Sequence, residues 1–250
     1  MASPTKPTIL LLQGTFQIPE VYYKFAQLLE SRGFPVVQPS FPSLTDQNDP
    51  DFTKKTLDDD IQVVETAIRK LVEHEGKRVL VLMHSYGGLV GAEAVPDYLT
   101  LASRRARDLP GGVARLFYLA AFVLQRGQSV ATAVGDSPDH DHWEGRFKMR
   151  NPASTSYSDL PAEEAAYWAV RAVPQSDAVK STVVKRCAYT YVPSTYVVCN
   201  GDKAVPPQVQ ELFAKQAGAE VKRIEAGHSA FLSKPEEVLA LVEEAAGVIS

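Results

Sequence analysis

The chain has 250 residues, 45 % of them apolar and 22 % charged. That is an ordinary globular composition, which excludes a disordered chain, a collagen-like repeat and a coiled coil. The 30 acidic and 26 basic residues leave a net charge of −4, which argues against a nucleic-acid partner.

Short β-like runs alternate with helical patterns, the signature of a parallel α/β sheet. Thr8 to Leu12 reads as the first buried strand. Pro19 to Ser31 reads as a helix with Val21, Phe25, Leu28 and Leu29 on one face and Gly33 as its stop. Phe34 to Gln38 reads as a second strand, and the Pro-, Asp- and Ser-rich stretch 39–55 as a loop. Leu57 to Glu73 is the clearest helix, because Ile61, Val64, Ile68 and Leu71 recur at helical spacing. Asp58, Asp59 and Asp60 load its first turn with negative charge that suits the helix dipole. Arg78 to Met83 is a strongly apolar strand leading into His84-Ser85-Tyr86-Gly87-Gly88 and a helix from Leu89 to Val95. Val113 to Ala121 and Ser194 to Cys199 are further strands, followed by a helix from Pro206 to Gln216 and a last strand from Glu220 to Ile224. The final helix begins near Ser233, where Ser-Lys-Pro-Glu resembles a capping box, and turns Val238, Leu241 and Val242 inward.

Between about 123 and 188 the rhythm breaks. No strong strand stands out, and both tryptophans, Trp143 and Trp168, fall there with Phe147, Met149, Tyr157 and Tyr167. A structureless loop of that length does not fit a compact domain. The expectation is a core of residues 1–122 and 189–250, with 123–188 as a helical cap inserted after the strand ending near Ala121.

Other features point to bland roles. Cys187 and Cys199 sit beside apolar residues with no Cys-x-x-Cys pair, so buried thiols are expected rather than a disulfide framework or zinc knuckle. Arg104, Arg105 and Arg107 read as a solvated surface. His140-Asp141-His142 is too sparse a set for a metal, and none is expected. No apolar run reaches the ~18 residues that span a bilayer. No membrane partner is expected, and the cytoplasm is the expected compartment.

The chemistry concentrates at Ser85. A strand, a tight turn and a helix with Ser at the turn is the nucleophile-elbow arrangement, G-x-S-x-G. Here it reads Met83-His84-Ser85-Tyr86-Gly87, with Met83 in place of the first glycine. A nucleophilic serine needs a base, and the base an orienting acid. Of five histidines, His228 stands directly after the last strand, where its loop can reach the carboxyl end of a central strand. Asp202 follows the strand 194–199, on the same edge and in the order Ser, Asp, His. The Tyr86 amide is one candidate oxyanion donor, and the Thr15 amide, in the loop after the first strand, is the other. Gln13, Gly14, Phe16, His84, Trp143 and Trp168 are the candidate substrate contacts.

These residues together resemble the α/β-hydrolase superfamily, in the compact branch of plant methylesterases, hydroxynitrile lyases and their fungal and bacterial hydrolase relatives. The resemblance is carried by Gln13-Gly14 at the family's opening His-Gly, HSYGG (His84 to Gly88), GDKAVP (Gly201 to Pro206) and AGHSAFLSKPEEV (Ala226 to Val238). It implies a doubly wound, mostly parallel sheet of about six strands and a cofactor-free serine hydrolase acting on a small-molecule ester, lactone or related carbonyl compound. Ser85, His228 and Asp202 would form the triad, with an acyl-enzyme intermediate. Hydroxynitrile lyases of this branch carry a Lys where Ser229 stands here, which disfavours cyanohydrin cleavage. Two alternatives stay open. One is a cofactor-free lyase or carbon–carbon bond enzyme with His228 as acid/base. The other is a non-catalytic small-molecule binding protein. A monomer or homodimer is expected.

Overall fold

The computed structural model describes residues 6–45 and 47–247. Asp46 of the expected 39–55 loop, and the outer ends of the expected core segments, lie outside them. The strands are β1 (Thr8–Leu12), β2 (Val36–Val37), β3 (Arg78–His84), β4 (Gly112–Leu119), β5 (His140–Trp143), β6 (Arg146–Met149), β7 (Gln175–Ser176), β8 (Ser194–Cys199) and β9 (Glu220–Ile224). The helices are α1 (Tyr23–Ser31), α2 (Leu57–Arg69), α3 (Gly87–Ala94), α4 (Leu101–Arg105), α5 (Val130–Ala133), α6 (Ala162–Ala169), α7 (Pro207–Gln216), α8 (Ala230–Ser233) and α9 (Pro235–Gly247).

Six strands form one sheet in the order β2-β1-β3-β4-β8-β9, all parallel. Both faces of the four central strands are covered, so β1, β3, β4 and β8 are buried along nearly their whole length. Ile9, Leu11, Leu80 and Leu82 pack with Phe25, Leu29, Val238 and Val242 of α1 and α9. Leu10, Leu12, Val79, Val81 and Met83 pack with Val64, Ile68, Leu89 and Val90 of α2 and α3. The strand order reverses at β1/β3, and every strand delivers its carboxyl end to the same edge, where a parallel sheet of this type binds ligands.

Several expectations change in detail. The helix expected from Pro19 opens as a 3₁₀ turn, Pro19–Tyr22, and the second strand shrinks to two residues. Arg104 is not a solvated cation. It is buried, donating to the carbonyls of Pro110 and Val72. Cys199 is buried, whereas Cys187 is half-buried. The Ser233 capping box does not form: Ser233 closes α8, and its hydroxyl has no partner among the described residues.

The larger correction concerns the segment expected to be a helical cap. Between β4 and β8 it holds two short helices, α5 and α6, and a three-stranded antiparallel sheet, β5-β6-β7. Glu144 and Gly145, both at positive φ, turn β5 into β6. These strands are half-exposed and mostly polar, HDHW and RFKM, so they carry no apolar alternation to announce them.

Candidate active site

Ser85 sits where β3 turns into α3. Its φ is +51°, in the left-handed region that non-glycine residues seldom adopt. The turn is held by the Ser85 carbonyl, which accepts from Gly88 and Phe122 amides at 3.0 Å each, while the Ser85 amide donates to Leu119. Met83 does not crowd this turn. It points into the layer under α3, where a Cβ on Gly91 would strike its thioether. The bulk lost at Gly91 thus accommodates the bulk gained at Met83.

His228 and Asp202 come from the loops after β9 and β8. His228 Nδ1 lies 2.7 Å from Asp202 Oδ2. Asp202 is fixed further by the Ala204 and Val205 amides, donating to Oδ1 at 2.7 and 2.9 Å, and by Gln210 Nε2, donating to Oδ2 at 2.9 Å. Ser85 and His228 line one cavity of about 330 Å³. Thr15 and Tyr86 line it too, and neither amide N–H meets an acceptor among the described residues.

Of the candidate substrate contacts, only Phe16 lines this cavity. Gln13 is fully buried at the end of β1, and neither of its amide atoms has a partner among the described residues. Gly14 is a close-approach point, since a Cβ there would lie 2.9 Å from both His84 Nδ1 and Ser85 Cβ. His84 turns away from the cavity into the protein. Trp143 is 41 % exposed on β5. Trp168 lines a separate surface groove with Tyr23, Tyr167 and Arg171. Aromatic bulk in the insertion is therefore mostly spent elsewhere. The apolar wall comes from Leu89, Phe122, Val130, Phe147, Met149 and Val179.

Two buried polar networks flank Ser85, and sequence reasoning found neither. The residue before it, His84, places Nδ1 2.7 Å from the Tyr22 hydroxyl and Nε2 2.9 Å from the His228 carbonyl oxygen. Burial, then the nearby His228, holds its imidazole well below the ordinary histidine pKa, so it is neutral and its one N–H goes to the carbonyl. The Tyr22 hydroxyl also meets Gln17 Oε1 and accepts from the Gly14 amide at 2.8 Å. Gln17 Nε2 in turn donates to Ser229 Oγ and the Tyr157 hydroxyl at 3.2 and 3.3 Å. The residue after the serine, Tyr86, donates its hydroxyl to Asp60 Oδ2 at 2.8 Å. Ser43 donates to the same carboxylate from its amide and hydroxyl, at 3.0 and 2.6 Å. Burial pushes the Asp60 carboxyl up to about 6, against the lowering effect of these bonds. Asp60 is thus more than helix-start charge, a role that falls to Asp59 through its capping box with Thr56. A signal was present: Asp60 stands four residues before Val64 and eight before Ile68, on the apolar face of α2.

In the far wall, burial pushes the His140 imidazole down to about 4, helped by the Lys180 charge. Lys180 is itself buried and donates to Asp136 Oδ1 at 2.6 Å. Its Nζ lies 2.9 Å from Asp177 Oδ1 and 4.0 Å from the centre of the Phe147 ring. His140 and His142 join no group of three or more metal-type side chains among the described residues. No described helix is long and apolar enough to cross a membrane.

The chain belongs to the alpha/beta hydrolase family, whose model matches residues 9–241. It is similar to the alpha/beta hydrolase nvfD of Aspergillus novofumigatus, with 29 % identity over 256 residues and 97 % of each chain covered. Among solved structures, polyneuridine aldehyde esterase superposes with a TM-score of 0.75 at 20 % identity, covering 96 % of this chain and 99 % of that one. An Arabidopsis methylesterase, MES16, superposes with a TM-score of 0.71 at 19 % identity, covering 97 % and 99 %. At those identities the structural likeness is one of fold.

Proposed function

We propose that the protein is a serine hydrolase that cleaves a small-molecule ester or lactone. The observation that carries this reading is one cavity shared by Ser85, in a left-handed turn, and His228, whose Nδ1 is held 2.7 Å from Asp202 Oδ2. Ser85 Oγ attacks the carbonyl carbon, and His228 Nε2 takes its proton and delivers it to the leaving alcohol. Water, activated by the same imidazole, then releases the acid from Ser85. Asp202 fixes the tautomer and orientation of His228. The Thr15 and Tyr86 amides receive the developing oxyanion, and losing one such donor typically costs ~10²–10³ in rate. In this reading residues 1–122 and 189–250 are the catalytic core, and 123–188 form its cap. A cavity of about 330 Å³ suits a small substrate, being near the lower end of ligand pockets.

Intact-mass spectrometry after treatment with a small fluorophosphonate tests the reading. The expected result is one adduct on the wild type, absent from Ser85→Ala and strongly slowed in His228→Ala. A folded wild type that takes no adduct overturns it. Turnover in oxygen-18 water should place the label in the acid product, which separates hydrolysis from lyase chemistry.

A further inference from the structure

Gln175, on β7, is fully buried yet lines the same cavity as Ser85 and His228. Its Nε2 donates to Ser43 Oγ at 2.8 Å. The direction of that bond is forced. Above about pH 6, where Asp60 is ionised, its carboxylate only accepts, so the single hydroxyl hydrogen of Ser43 goes to Asp60 Oδ2 at 2.6 Å, and Ser43 Oγ must accept from the amide nitrogen. The carboxamide therefore cannot turn over. Its oxygen, Oε1, is buried and has no partner among the described residues. A second cavity-lining side chain behaves alike: His140 Nδ1 is buried and unpartnered, with its ring set edge-on to Phe16 at 5.3 Å between centres. Buried polar atoms are nearly always paired, so an unmatched acceptor on a residue that lines a ligand cavity calls for a partner, and a ligand in that cavity can supply one.

We propose that Gln175 is a specificity-determining residue, whose Oε1 accepts a hydrogen bond from a hydroxyl group of the substrate. The preferred substrates are then hydroxylated esters or lactones, with the free hydroxyl away from the scissile carbonyl, rather than purely aliphatic ones. This rests on the hydrolase reading for its chemistry, though not for its binding. A site built to bond a hydroxyl discriminates against the analogue lacking it, because the unmatched acceptor then stays buried.

The experiment uses aryl esters of straight-chain acids, with a hydroxyl moved one carbon at a time along the acyl chain, each paired with its deoxy analogue. At one position, the wild type should favour the hydroxylated ester by roughly tenfold or more in kcat/KM. Gln175→Met should abolish that preference while keeping fluorophosphonate labelling of Ser85. A wild type that labels but shows no preference at any position overturns the proposal and leaves the hydrolase reading standing. So does a folded Gln175→Met variant that keeps the preference. Isothermal titration of Ser85→Ala with the hydroxylated and deoxy product acids reads the same discrimination without turnover. A wild type that never labels, beside a Ser85→Ala variant that still prefers the hydroxylated acid, overturns the hydrolase reading alone.

Discussion

The two networks beside Ser85 begin one residue to either side of it and differ in kind. The His84 network is uncharged and returns to the loops it holds. Through Tyr22, Gln17 and Ser229 it ties the turn after β1 to the His228 loop, and through Nε2 it grips the His228 carbonyl itself. The Tyr86 network contains a buried carboxylate, and its last member, a residue of the cavity lining, keeps a buried acceptor without a partner among the described residues. A closed, neutral network fixes geometry, whereas one that ends in an unmatched atom is completed by something else. Ser85 is thus flanked on one side by a network that returns to the neighbouring loops and on the other by one that runs to a residue of the cavity wall.

The largest effect should come from opening the closed network. Tyr22→Phe leaves the Gly14 amide without its acceptor, and His84 Nδ1 and Gln17 Oε1 without the hydroxyl whose one hydrogen they share, in a fully buried site. The orphaned groups should lower stability by about 3 kcal/mol, read by urea unfolding. The fluorophosphonate labelling rate should fall as well, because the His228 anchor loosens. An unchanged unfolding midpoint would show that the network is not closed in solution. The charged network should respond to pH instead. The Asp60 pKa is raised to about 6. A raised acid favours the folded state below its unfolded pKa, ~3.9, and that contribution is lost as pH rises through about 6. Wild-type stability relative to Asp60→Asn should therefore fall by about 2 kcal/mol between roughly pH 4 and pH 7. Parallel stability curves for the two proteins would place the Asp60 titration elsewhere.

Neither network was legible in the sequence, although much around them was. The strands β1, β8 and β9 match their expected bounds. Short runs between turn residues define a parallel strand locally, and topology then sends every carboxyl end to one edge. That is why Ser85, Asp202 and His228 could be brought together on paper. The insertion resisted because β5 and β6 are polar and short, and because aromatic content gives bulk without direction. Trp143 and Trp168 show this by lying outside the cavity. The networks resisted for a different reason. Their bonds join residues as far apart as Gln17 and Ser229, or Ser43 and Gln175, and nothing local in Tyr, Gln or Ser records which distant partner satisfies it.

Gln13 sharpens the comparison from outside it. It stands one residue before Gly14 and is as buried as Tyr22 or Asp60, yet it is joined to neither network, and both of its amide atoms lack partners among the described residues. An unmet amide in such a place opposes folding. Gln13→Met keeps the length and approximate volume of the side chain and removes both polar atoms. It should therefore raise stability by about 1 kcal/mol, seen as a higher thermal midpoint, while the labelling rate of Ser85 stays within about twofold. A loss of stability of similar size would reverse the assignment. It would mean that the amide is bonded in solution and belongs with the closed network.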